Sequence, residues 1–148
     1  MNIKIGRLEN AKDIAKNNCL LANESENIDL SYEKTLSGVK NVISDQLKGF
    51  YLIAIENGII IGQLMITYEW SDWRDKNIWW IQSVYVNEDY RRKNIFKNML
   101  NYIKKLAEKK RILKLNLYVY QENIKAKLAY EKTGMKKDNY DIYKLKLC

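Results

Sequence analysis

The sequence predicts an α/β fold (α+β in some schemes), a mixed sheet flanked by about four helices, on three observations. Asn57-Gly58 separates the apolar runs Tyr51–Glu56 and Ile59–Tyr68, the pattern of a tight hairpin between antiparallel strands. In the second half, runs that alternate with period two are interleaved with runs of helical period. No proline and no linker-like stretch interrupts the 148 residues, so one domain is expected over residues 1–148.

Taken in order, residues 2–8 alternate apolar and polar and predict a strand. A helical stretch runs from Ala11 to about Ala22, and the polar run Asn23–Ser31 predicts a loop. Between Tyr32 and about Lys48, the spacing of Leu36, Val39, Val42, Ile43 and Leu47 predicts a helix with its charged remainder in water. After the hairpin, Trp70–Asn77 reads as a loop and Ile78–Val86 as a strand. A helix from Asn94 to Lys109 places Ile95, Met99, Ile103 and Leu106 on one stripe. The pattern then repeats as strand Lys114–Tyr120, helix Asn123–Thr133 and a last strand Tyr140–Leu147. Gly134 is suited to end the last helix, because glycine enters left-handed geometry without a Cβ clash.

Composition removes several kinds of chemistry. The chain has no histidine, which excludes a histidine general base, a Ser-His-Asp triad and the common zinc sites, and no metal site is expected. Cys19 and Cys148 lie far apart without metal-ligand spacing and read as free thiols in a reducing compartment. The apolar runs are too short to span a bilayer and residues 1–5 alternate like a strand rather than a secretory signal, so a soluble, cytoplasmic protein is expected. A net charge of +8 suggests an anionic partner without choosing among cofactor phosphates, nucleic acid or none.

The most informative stretch is Gln82-Ser83-Val84-Tyr85-Val86-Asn87-Glu88-Asp89-Tyr90-Arg91-Arg92-Lys93-Asn94-Ile95-Phe96-Lys97. A strand ends, basic residues crowd a short loop, and an amphipathic helix begins. The first turn of a helix has unpaired N–H groups and a partial positive charge, which suit a pyrophosphate, and Arg91, Arg92, Lys93 and Lys97 add charge there. Charge alone is met more simply by a solvated basic loop.

The order of residues adds to this. Arg91-Arg92-Lys93-Asn94-Ile95-Phe96 resembles the acetyl-CoA-binding motif of the GNAT superfamily, Arg/Gln-x-x-Gly-x-Gly/Ala. Asn94 and Phe96 replace its glycines. Asn tolerates left-handed geometry, so Asn94 can keep the loop shape, whereas Phe96 either crowds the diphosphate or points into the core. Asn123, Ala126, Tyr130 and Gly134-Met135 resemble the family's second half-site, Asn-x-x-Ala-x-x-x-Tyr-x-x-x-Gly-Phe. The resemblance covers residues 50–148 well and implies a mostly antiparallel sheet of about six or seven strands.

The resemblance also implies acetyl transfer from acetyl-CoA to a primary amine of a small molecule or peptide, by direct attack in a ternary complex. The cofactor contacts it implies are Val84, Tyr85 and Val86 through backbone, Arg91, Arg92, Lys93, Asn94, Ile95, Phe96 and Lys97 around the diphosphate, and Asn123 and Tyr130. Tyr130 occupies the position of the acid that protonates the leaving thiolate, with helix packing as its plainer role. Without histidine the base is expected to be a carboxylate acting through water, with Glu69 best placed and Asp72 and Asp75 as alternatives. Trp70, Asp72 and Trp73 are the candidate substrate contacts, since aromatic faces beside carboxylates suit a cationic amine. Trp79 and Trp80 should face opposite sides of their strand, so one of them packs against a helix.

Two other readings compete. A nucleic-acid module is disfavoured because the lysines are spread along the chain and the one cluster, Lys104 to Arg111, belongs to a helix end; neither nucleic acid nor membrane is expected as a partner. A catalytically degenerate GNAT-fold protein that binds a ligand or partner is the alternative function. A homodimer stays open.

Overall fold

The computed structural model describes residues 1–148. Strand β1 (Asn2–Ile5) leads into helices α1 (Ala11–Glu26) and α2 (Tyr32–Ser44). Strands β2 (Gly49–Glu56), β3 (Ile59–Ser71) and β4 (Lys76–Val86) form a meander, followed by helix α3 (Ile95–Lys109), strand β5 (Leu115–Leu117) and helix α4 (Ile124–Lys132). The strands form one sheet in the order β1-β2-β3-β4-β5, antiparallel except for the β4–β5 pair.

Asn57 and Gly58 adopt φ of 52° and 75°, which closes the predicted hairpin with Glu56 opposite Ile59. Strand alternation gives the sheet two apolar faces. On one, α3 inserts Ile95, Met99, Leu100 and Ile103 against Leu52, Ala54, Leu64, Ile66, Trp79 and Ile81. On the other, α1 and α2 bring Ala11, Ile14, Ala15 and Val39 onto Tyr51, Ile53 and Ile60. Gly62 lets α3 come this close: a Cβ there would sit 2.8 Å from Ile95 Cγ2 and 3.1 Å from Met99 Cε. No helix is long and apolar enough to cross a membrane.

The α/β class is as expected, but the sheet has five strands rather than six or seven. Residues 136–148 form no strand and are exposed throughout, so the expected strand Tyr140–Leu147 is absent from the sheet: alternation selects the faces of a strand but supplies no partner. Half of the expected loop Trp70–Asn77 is strand, because β3 and β4 continue to a turn at residues 72–75. Thr67, Tyr68, Trp70, Trp79 and Trp80 suit paired strands, and only Asp72-Trp73-Arg74-Asp75 has turn character. The first strand and β5 are shorter than expected and α1 is longer, reaching Glu26 before Asn27 stops it in left-handed geometry (φ 54°). Helix α2 ends at Ser44, where Asp45 is extended, which leaves Leu47 outside the helix and exposed.

Candidate active site

The site originates in a defect of β4. Against β3, Gln63 faces Tyr85 but Met65 faces Gln82, so β4 carries one extra residue, and Ser83 takes a left-handed φ of 52°. This is a β-bulge, which bends its strand. On the other side, β4 pairs with β5 only at Trp79, Trp80 and Ile81. Beyond Ile81 the two strands part, leaving residues 82–86 of β4 without a strand neighbour on that side. The side chains of Val84 and Val86 pack toward the α3 core, so what this segment offers the opening is backbone.

The same strand leads to the N-terminus of α3. Arg92 and Asn94 are left-handed (φ 64° and 61°), and Asn94 thus takes the conformation expected of a residue in a glycine position. The first hydrogen bond at the head of α3 is Asn98 N–H to the Asn94 carbonyl at 3.0 Å, so the N–H groups of Ile95, Phe96 and Lys97 have no intrahelical partner. Arg92 and Lys97 extend into solvent beside them. Arg91 is differently employed. Its guanidinium donates to the Val86 carbonyl (3.0 Å) and to Glu24 of α1 (2.6 Å), and lies 5.6 Å from the Tyr85 ring centroid. Lys93 Nζ lies 5.2 Å from the Tyr90 ring centroid. Ile95 is buried in the core. Phe96 resolves its two alternatives in favour of the core: it packs against the α3 cluster and meets the Tyr130 ring edge-on, with centroids 5.4 Å apart.

A cleft of about 590 Å³ opens where β4 and β5 part. Its walls are Leu21, Ser25, Leu30 and Thr35 from α1, α2 and their connection, Gln82 to Val84 from β4, and Tyr118 to Tyr120 with Asn123, Ala126 and Tyr130. The volume falls in the range of about 300–1,000 Å³ usual for ligand sites. Asn123 caps α4 by accepting from the Ala126 N–H at 3.2 Å. Burial pushes the Tyr130 phenol above its ordinary value, so it holds its proton at neutral pH. Burial also raises Tyr85, reinforced by Glu24 and opposed by Arg91.

The structure brings Val84, Asn123 and Tyr130 together in the cleft, with Arg92, Asn94 and Lys97 at the adjoining helix end. Tyr85 faces the α1 side, where its strand partner is Gln63. The remaining candidates lie elsewhere. Glu69 is exposed on β3 and accepts from Trp80 Nε1 at 2.8 Å, outside the cleft lining; Trp80 in turn stacks on the cleft residue Tyr118 at 4.4 Å. Trp70 and Trp73 are exposed at the β3–β4 turn with Asp72 and Asp75, Trp73 to 86 %. Trp79 is buried in the cluster formed with α3, beside Phe50 of β2, so it is the one of the paired tryptophans on a helix-covered face.

Sequence reasoning missed Gln82, Tyr118 and Tyr120. Strand alternation around Trp80 could have found Gln82, which donates to Thr67 Oγ1 at 2.6 Å beside the cleft. It also missed Gln63, fully buried under α1 and held by Asn17 (2.9 Å), Asn18 (2.9 Å) and the Ile14 carbonyl (3.2 Å). This satisfied network ties α1, one wall of the cleft, to the middle of β3.

The chain belongs to the acetyltransferase (GNAT) family, whose model matches residues 18–135, and it is accordingly an acetyltransferase. A possible acetyltransferase from Clostridium difficile 630 is 41 % identical to it, with a TM-score of 0.93 over 99 % of this chain and 97 % of that one. A predicted acetyltransferase from Clostridium acetobutylicum, seen with acetyl-CoA, is 17 % identical, with a TM-score of 0.80 over 97 % and 95 % of the two chains. A ribosomal-protein-alanine N-acetyltransferase from Brucella melitensis biovar Abortus 2308 is also 17 % identical, with a TM-score of 0.79 over 99 % and 98 %. At those lower identities the likeness speaks for the fold alone. No curated protein matches the chain.

Proposed function

We propose that the protein transfers the acetyl group of acetyl-CoA to a primary amine of a small molecule or peptide. The observation that carries this reading is the opening at the Ser83 bulge, where an unpaired strand edge leads directly to the bare N-terminus of α3. The residues fit such a donor. An extended, amide-containing arm can hydrogen-bond to the free edge of β4 around Val84 and Val86 as an added strand would, and a diphosphate can accept from the N–H groups of residues 95–97 beside Arg92 and Lys97.

Bound acetyl-CoA would supply the acetyl group as a thioester, whose carbonyl carbon takes the amine as the carbon–sulfur bond breaks. A backbone N–H near Val84 polarises that carbonyl and stabilises the negative charge developing on its oxygen. Tyr130, protonated in its half-buried setting, gives its proton to the departing sulfur. The amine must first lose a proton, and Glu69 is proposed to accept it through water, with the Trp80–Tyr118 stack linking its strand to the cleft wall. Trp70, Asp72 and Trp73, on the far turn, are proposed to meet only a substrate long enough to extend along the sheet, such as a peptide.

The test is thiol release from acetyl-CoA against panels of polyamines, aminoglycosides, amino acids and peptides. Amine-dependent release is expected with at least one class; none across all panels would favour a binding role. Glu69→Gln then tests the base. The variant is expected to lose rate at neutral pH and to recover toward wild type at high pH, where free amine is abundant. Loss of substrate affinity at every pH with unchanged turnover would make Glu69 a charge partner instead.

A further inference from the structure

The cleft is lopsided in charge. The chain has 26 lysines and arginines, yet none lines the cleft, and eleven of the eighteen residues that do are apolar or aromatic. Glu26 is the one charged side chain among them. Glu69, Asp72 and Asp75 all lie outside this lining.

Glu26 is also oddly placed for a structural role. It is the last residue of α1, whose final turn holds Glu24 and Glu26 and no basic residue. A helix ends in partial negative charge, so carboxylates there are disfavoured. Glu24 is compensated, because the Arg91 guanidinium meets it at 2.6 Å. Glu26 belongs to none of the chain's ion pairs. The helix end around it is rich in open acceptors as well. The N–H groups of Asn27 and Ile28 turn back to Asn23 and Ala22, leaving the carbonyls of Glu24, Ser25 and Glu26 without a backbone partner. A carboxylate that breaks a local preference in a chain of net charge +8, with no compensating contact in the protein, calls for a cation from outside.

We propose that Glu26 binds a positive charge of the acceptor and that the acceptor is an alkyl or aryl diamine, one nitrogen being acetylated and the other held as an ammonium. This rests on the acetyl-transfer reading above and narrows its substrate class. With Val84, Asn123 and Tyr130 given to the donor, the acceptor is left the wall made by the end of α1 and residues 28–35. There Leu21, Ile28 and Leu30 suit an apolar spacer, and Tyr118 and Tyr120 of the other wall add aromatic faces for a cation. A single ammonium would not serve Glu26 through the reaction, because the reacting nitrogen must lose its charge before it attacks. In a diamine that nitrogen bonds to the acetyl carbon as the carbon–sulfur bond breaks, giving up one proton while the sulfur takes one. The second ammonium stays paired with Glu26 throughout. A carboxylate in its place, as in an amino acid, would face Glu26 with no cation in the lining to receive it. The chain's other charges weigh less, since screening at about 0.1 M salt acts over about 10 Å and a cation in contact with Glu26 feels it most.

Probes of one length that differ only in the charge of one end test this: the five-carbon diamine cadaverine, pentylamine and δ-aminovalerate, each titrated calorimetrically into the chain alone and into the chain with CoA. Cadaverine is expected to bind at least about tenfold more tightly than pentylamine, and δ-aminovalerate more weakly than either. In Glu26→Gln the preference for the diamine should fall to about twofold or less, with Tm unchanged or slightly higher because a disfavoured carboxylate is gone. Equal binding of the three probes, binding of none, or a preference that survives Glu26→Gln would overturn the proposal. A variant with a clearly lower Tm would overturn it too, by returning Glu26 to a structural role. Because binding is read without turnover, these outcomes stay separate from thiol release: release with other amines alone would keep acetyl transfer and reject the diamine.

Discussion

Every buried residue of the chain lies between Gly6 and Ala107, and from Glu108 onward there is none. The first region is a finished structure, with helices on both faces of β2, β3 and β4 and its buried polar groups satisfied. The second carries β5, α4 and residues 136–148, holds Asn123 and Tyr130, and has no core of its own. The cleft runs between them. One wall is therefore set by packing, and the other depends on the few Trp79–Ile81 pairings to β5 and the Phe96–Tyr130 contact. In the proposed reaction the first region would hold the donor, and the second, which has no buried residue, would carry the proton donor.

The sharpest way to break this comparison is to damage each region in turn. Met99→Ala, in the fully buried α3 stripe, is expected to lower stability by about 2–5 kcal/mol in urea unfolding, independently of protein concentration. Leu128→Ala, on the exposed α4, should change stability by no more than about 0.5 kcal/mol. Equal losses in both regions would dissolve the distinction. Tyr130→Phe is expected to reduce turnover roughly 10- to 1000-fold while leaving CoA affinity nearly unchanged, because it removes one proton donor and keeps the ring against Phe96. Unaltered turnover with chemistry rate-limiting would assign Tyr130 to packing.

Smaller effects separate the basic residues at the platform's edge. Arg92→Ala and Lys97→Ala should each weaken CoA binding roughly two- to fivefold at low salt and less at high salt, as expected for exposed charges at a helix N-terminus. Arg91→Ala should act equally at both salts, because its guanidinium already holds Val86 and Glu24 and shapes the loop. A salt-dependent Arg91→Ala would show that it reaches the diphosphate after all.

A pH titration of stability spans both regions. Burial holds the Tyr51, Tyr68, Tyr85 and Tyr130 phenols above their ordinary 10.0. Above that pH the folded chain binds more protons than the unfolded one, so this stabilisation is complete below pH 10 and is lost as pH rises through the folded values. Urea midpoints that stay level from pH 9 to 11 would contradict it.

The platform was largely legible in the sequence because its signals are local. Asn57-Gly58 specifies its own turn, the α3 stripe its own face, and Asn94 its own left-handed conformation. The bulge was not legible, since nothing in Ser83 announces a positive φ that the strand register imposes. The reach of β3 and β4 was hidden because aspartates in a four-residue turn and tryptophans in the strands beside it read together as one loop. The Arg91 contacts were hidden for a related reason: Glu24 is far away in sequence, and a motif names the residue without its partner. The final segment shows the converse, an alternating pattern plain in sequence that forms no strand in the structure.

The central claim, that the edge opened at Ser83 and the N-terminus of α3 form a single donor site, is tested most directly by thermal melting with acetyl-CoA and with pantetheine, which lacks the diphosphate. Acetyl-CoA at about 100 times its Kd should stabilise the fold by about 2.7 kcal/mol and raise Tm by several degrees, with pantetheine at the same concentration giving little or no rise. An unchanged Tm at millimolar acetyl-CoA, or an equal rise with pantetheine, would contradict it.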